Sequence, residues 1–156
     1  MVNISLDQIK KLRAKTKAGV MDCRQALEES QGDIVKAEKW LREKGLKTAA
    51  KKEGRQTKQG RIEVYSHGEG KIVGLVELLC ETDFVARTQD FKDLAHELAM
   101  QVAAMEPKDK EELLKQPWIR DEAKTIEELV KELIAKTGEN IKIGQIARFE
   151  LGEGSK

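Results

Sequence analysis

The chain has 156 residues, a length that suits one ordinary domain or a small module joined to a larger one. Charged residues make up 37% of it, aromatics 4%, and the formal net charge is +1, so its surface is well solvated but has no overall field to draw in nucleic acid or an anionic membrane. No run approaches the ~18 apolar residues that span a bilayer, "MVNISLDQIKKLRAK" lacks the apolar centre of a secretory signal, and Cys23 and Cys80 read as reduced thiols without metal-ligand spacing, so a cytoplasmic location is expected.

Three short helices are predicted over residues 5 to 45. Ser5 and Gln8 have the spacing of a capping box, and Leu6, Ile9 and Leu12 follow at helical intervals. "TKAG" breaks that helix. "VMDCRQALEES" supplies a second with Cys23, Ala26 and Leu27 facing inward, and Asp33 caps a third. Ile34, Ala37, Trp40 and Leu41 form its apolar stripe, Trp40 being the expected largest buried group, with Gly45 as C-cap. Residues 46 to 60 then hold Lys47, Lys51, Lys52, Arg55 and Lys58 against Glu53 alone. With no aromatic interleaved, this stretch reads as a helix fraying into a solvated hinge rather than as a nucleic-acid contact.

"RIEVYSHGEGKIVGLVELLC" reads as a hairpin turning at "SHGEG", and its second strand, apolar on both faces, is expected to be central and covered on each side. Thr88 is placed to cap a long helix with Phe91, Leu94, Ala95, Leu98, Ala99 and Val102 on one stripe, ended by Pro107. "KEELLKQPW" is a short helical turn. Thr125 and Glu128 form a second capping box before a helix that stops at Gly138, and "NIKIGQIARFEL" returns as a strand. The order predicts an α+β fold: a three-helix module (1–46), a basic linker (47–60), and a core (61–156) with a three-stranded antiparallel sheet packed by helices.

The chain offers little for catalysis. Neither His67 nor His96 has a nucleophile at a recognisable spacing, and "HGEGKIVG" is a hairpin turn rather than a phosphate loop. No cofactor or metal is expected. Two places pose a question instead. Val20 and Met21 sit at a helix–helix turn, where they suit either core packing or partner contact. In "CETDFVAR" the large Phe84 stands beside Asp83 at a strand-to-helix corner, and an exposed aromatic there needs a pocket.

"LRAKTKAGVMDCRQAL" (12–27), "ELLCETDFVAR" (77–87) and "RFELGEG" resemble, in order and over nearly the whole chain, the elongation factor Ts family. Three positions depart from the family's habit: Lys17 replaces its usual Gly, Arg24 its Lys and Leu79 its Asn. The chain is also short for the family; residues 107–124 stand where longer members carry helical insertions, and half of the duplicated core is missing.

The resemblance implies a non-enzymatic guanine nucleotide exchange factor for the GTPase elongation factor Tu. Thr82, Asp83, Phe84 and Val85 would reach the partner's nucleotide domain, Phe84 wedging between its helices and dislodging magnesium. Asp83 would hold the loop. Arg13, Val20 and Met21 of the helical module would grip the same domain, and two chains would pair through their cores. Two rival readings remain open. The three-helix unit is similar to ubiquitin-associated modules, which suggests an adaptor, and residues 47–61 could bind RNA with steep salt dependence. Neither explains Asp83–Phe84, so the exchange-factor reading ranks first.

Overall fold

The structure, a computed structural model, describes residues 3–155. Helices α1 (Leu6–Thr16), α2 (Val20–Glu29) and α3 (Ile34–Lys52) come first. The Ser5–Gln8 capping box forms in full, and the Asp33 side chain accepts from the Lys36 N–H at the start of α3. These three helices close over a thin core of Ile9, Leu12, Cys23, Ala26, Leu27 and Ala37. Trp40 is only half-buried at its edge, where Lys44 Nζ stands 5.0 Å from the ring, so Leu12 and Leu27 are the module's largest fully buried groups.

Gly45 does not end α3. It lies where α3 passes α7 (Ile126–Thr137), and a Cβ there would come within 3.4 Å of the Ala135 Cβ. Helix propensity loses to a packing opportunity: the chain keeps turning so that Ala49 can join the larger core. Much of the expected linker is therefore regular structure. Only residues 53–58 separate Lys52 of α3 from strand β1 (Gln59–His67).

β1 pairs antiparallel with β2 (Ile72–Cys80), which pairs antiparallel with β5 (Ile141–Glu150), giving the order β1-β2-β5. Even-numbered residues of β2 face helix α5 (Gln89–Met105), and Val76, Leu78 and Cys80 among them are fully buried. Fully burying a side chain of this kind stabilises by about 1.5–3 kcal/mol. The α5 stripe from Phe91 to Val102 covers them, and Gly74 lets the helix approach: a Cβ there would lie 2.3 Å from the Ala99 carbonyl oxygen.

The opposite face of the sheet is uncovered, contrary to the expectation of a strand sheltered on both sides. Ile62 (65% exposed), Val64 (52%) and Phe149 (67%) lie there, with the half-buried Val73, Leu75 and Leu79 between them. On the inward face of β1, beside the ion-paired Arg61 and Glu63, Tyr65 meets the His96 ring of α5 edge-on at 5.7 Å.

After the turn α4 (Asp83–Ala86) and helix α5, the short helix α6 (Lys110–Lys115) leads into a small hairpin, β3 (Pro117–Trp118) with β4 (Asp121–Thr125), which the sequence did not announce. Its anchor is Gln101 of α5, fully buried. The amide donates to the Pro117 carbonyl at 3.1 Å, and its oxygen accepts from the Ile119 N–H at 3.1 Å. A buried amide satisfied on both ends specifies one arrangement of the segment it holds.

Candidate functional site

β2 ends at Cys80 and the chain corners through Glu81 and Thr82 into α4. Thr82 is the N-cap of this single turn, its hydroxyl oxygen accepting from the Val85 N–H at 3.4 Å. Four residues of helix carry their neighbours in different directions. Val85 turns inward and is 6% exposed, part of the large core, whereas Phe84 points out and is 77% exposed. Among the four residues singled out by sequence, Val85 is thus an anchor, and Thr82, Asp83 and Phe84 form the accessible surface.

Asp83 pairs with Arg87 across the turn at 3.1 Å, both side chains well exposed, an arrangement worth a few tenths of a kcal/mol at about this exposure. That pair does not tie the turn to the rest of the protein. The fastening comes from elsewhere. The Glu139 carboxylate, in the turn between α7 and β5, accepts from the Thr82 N–H at 3.0 Å and from the Thr82 hydroxyl at 2.7 Å. In the reverse direction the Glu81 carboxylate accepts from the Asn140 N–H at 2.7 Å. Asn140 is buried, and its side-chain amide donates to the carbonyls of Glu53 (3.2 Å) and Arg55 (2.7 Å), just past the end of α3. Arg55 also lies 3.5 Å from Glu81, and Lys52 Nζ donates to the Gly138 carbonyl at 2.5 Å.

Sequence reasoning missed the roles of Glu139 and Asn140, seeing only a helix stop at Gly138 and a strand beginning at Asn140. A usable signal was present: two polar residues between a C-cap glycine and an apolar strand start, where backbone and side chains both need partners. Leu79, the apolar replacement before the corner, lies on the open face of the sheet and takes no part in this network.

Burial pushes the Cys80 thiol up to about 11, with the Glu139 charge adding to the shift. Its sulfur donates to the Thr82 carbonyl at 3.1 Å, so at neutral pH it is a protonated, structural group.

The second group of candidates lies at the corner between α1 and α2. Lys17, in the left-handed region at φ 59°, ends α1 by donating its N–H to the Arg13 carbonyl at 2.8 Å. Arg13 is exposed in the last turn of α1; Val20 and Met21, exposed by 48% and 71%, open α2. Neither apolar residue belongs to the module's core. Asp22 beside them is held by Lys44 at 2.7 Å.

Among the described residues, one trio of carboxylates could hold a metal by spacing, Glu106, Glu150 and Glu153. All three pair instead with Arg148, at 2.9, 3.0 and 3.6 Å, so the guanidinium already supplies their positive charge. No helix among the described residues is long and apolar enough to cross a membrane.

Phe84 on the turn after Thr82, and Val20 and Met21 at the start of α2, thus form two exposed apolar surfaces at helix starts, both outside the hydrophobic cores. Residues 81–156 match the family model described as Elongation factor TS. Elongation factor Ts of Thermotoga neapolitana is 45% identical, the alignment covering 97% of this chain and 99% of that one. The Coprothermobacter proteolyticus protein of the same name is 43% identical over 97% of this chain and its own full length. That of Thermosynechococcus vestitus is 44% identical over 99% of this chain and 67% of its own. The chain belongs to the elongation factor Ts family, and so to the elongation factors of translation. Its alignment with the Thermotoga neapolitana protein runs over 195 positions, more than its own 156, so that relative contains residues with no counterpart here.

Proposed function

We propose that this chain is a guanine nucleotide exchange factor for elongation factor Tu, acting in the cytoplasm and transforming no substrate itself. The observation that carries the reading is Phe84, a large aromatic 77% exposed on a turn whose next residue is locked in the core. An aromatic held out on a rigid base spares the cost of ordering the backbone on insertion into a partner's pocket.

An exchange factor binds the nucleotide-free GTPase more tightly than the loaded form, and by linkage each ligand weakens the other by the same factor. In this reading Phe84 enters the nucleotide domain and displaces the elements that hold magnesium and the phosphates. Thr82 and Asp83 meet polar groups around it, and Val85 keeps the turn from yielding. Arg13, Val20 and Met21 add a second grip on the same domain.

Two copies pair through the open face of the sheet. Ile62, Val64 and Phe149 present a flat apolar layer, and stacking two such sheets ~10 Å apart encloses it.

The test is release of a fluorescent GDP analogue from purified elongation factor Tu. With ~2 kcal/mol for an aromatic anchor and about 1.36 kcal/mol per decade, Phe84→Ala is expected to slow release roughly thirtyfold. Equal rates for the two proteins would remove Phe84 from the mechanism. A light-scattering mass of one chain at micromolar concentration would do the same for the pairing.

A further inference from the structure

The exposed turn is built on Thr82, and Thr82 is held by a residue 57 positions away in sequence. Its N–H has no helical partner, as at any N-cap, and its hydroxyl uses its oxygen to receive the Val85 N–H, leaving its own proton to be placed. Glu139 takes both protons with its two oxygens: Oε1 from the N–H at 3.0 Å and Oε2 from the hydroxyl at 2.7 Å. The hydroxyl rotor is thereby set with its lone pair toward Val85, and the cap is oriented as well as bound.

The same pair of chain segments is crossed a second time by Glu81 to the Asn140 N–H. Two bridges running in opposite directions prevent the corner from pivoting about either one. Through Asn140, the crossing also reaches the Glu53 and Arg55 carbonyls at the end of α3, the helix on which the three-helix module is carried.

We propose that Glu139 is the positioning residue for Phe84: its carboxylate orients the Thr82 cap, and the crossed Glu81–Asn140 bond registers that cap against the end of α3, so the two partner-facing surfaces keep one relative placement. Glu139 itself need touch no partner. It acts through the turn, and it rests on the reading of Phe84 given above.

The experiment uses the full chain with Glu139→Ala, Glu139→Gln, Phe84→Ala and the double variant Glu139→Ala/Phe84→Ala. Two readouts are taken: amide hydrogen exchange at Val85, Ala86 and Arg87, and fluorescent GDP release from elongation factor Tu at saturating factor. Losing a doubly accepting carboxylate is expected to lower protection of these three amides about tenfold relative to α5 and to slow release by about the same factor. Glu139→Gln, which keeps one acceptor, should fall between Ala and wild type. In the Phe84→Ala background the Glu139→Ala effect on release should shrink well below its size in the wild-type background, because its main route is through that ring.

Unchanged protection in Glu139→Ala overturns the proposal, as does a release effect that adds fully to that of Phe84→Ala. A general loss of folding would lower protection in α5 as well and would count against a local role, with Glu139→Gln as the milder check. Should Phe84→Ala leave release untouched, the exchange reading of Phe84 fails by itself, while the amide protection still decides whether Glu139 holds the turn.

Discussion

The corner between α1 and α2 and the turn at Thr82–Arg87 both lift an apolar side chain into solvent at the start of a helix, yet they are secured in different ways. At the first, Lys17 and Gly19 shape the backbone locally, and the core beneath is six small to medium residues. At the second, the turn sits on the larger core through Val85 and is pinned by Glu139 and Asn140 from a remote loop. A surface held by its own neighbours depends on a few caps and one thin core. A surface held from afar depends on the whole domain being folded first.

That contrast can be broken most forcefully at Leu27, fully buried in the module. Leu27→Ala should cost about 3 kcal/mol, enough to expose the amides of α1 and α2 to hydrogen exchange while those of α5 and β2 keep their protection. Parallel loss in both regions would mean that the two cores melt as one.

A smaller effect sharpens the comparison from the other side. Lys17 occupies a left-handed conformation at φ 59° that a β-carbon disfavours. Lys17→Gly relieves that strain, and a gain of about 1 kcal/mol in the module's stability is expected by denaturant titration. A loss would show that the Lys17 side chain contributes more than its backbone costs.

The smallest expected effect concerns the junction between the two regions. Arg42 of α3 and Glu128 of α7 form an ion pair. Burial works to raise the Glu128 carboxyl, but the Arg42 guanidinium and the Thr125 N–H outweigh it and hold the group below its ordinary range. A carboxyl lowered by folding stabilises above its unfolded value and loses that contribution as pH falls through the native one. Stability should therefore decline from about pH 4.3 downward, and Glu128→Gln should flatten that decline in an acid titration followed by circular dichroism. An unchanged acid limb would place the sensitivity elsewhere.

How far each feature could be read in advance follows the distance over which it is decided. The capping boxes at Ser5–Gln8 and Thr125–Glu128 and the caps at Asp33 and Thr88 form as their local pattern requires, because donor and acceptor lie within one helical turn. The stripe on α5 was equally plain. Gly45 misled, since a glycine reads as a terminus until a neighbouring helix is present to explain it. The strand β2 misled for a similar reason: an apolar strand reports that both faces are greasy, not how many layers this chain can supply to cover them.

By itself, then, the order of residues determined the helix starts at Ser5, Asp33, Thr88 and Thr125, the β1–β2 hairpin and the presence of an aromatic at an improbable corner, all products of interactions spanning a few residues. Only the tertiary structure decided that Phe84 faces out while Val85 faces in, that α3 runs on to meet α7, and that Glu139 fastens Thr82. Those outcomes arise where segments far apart in the chain compete to satisfy the same buried donors and the same apolar area. No local pattern encodes the winner.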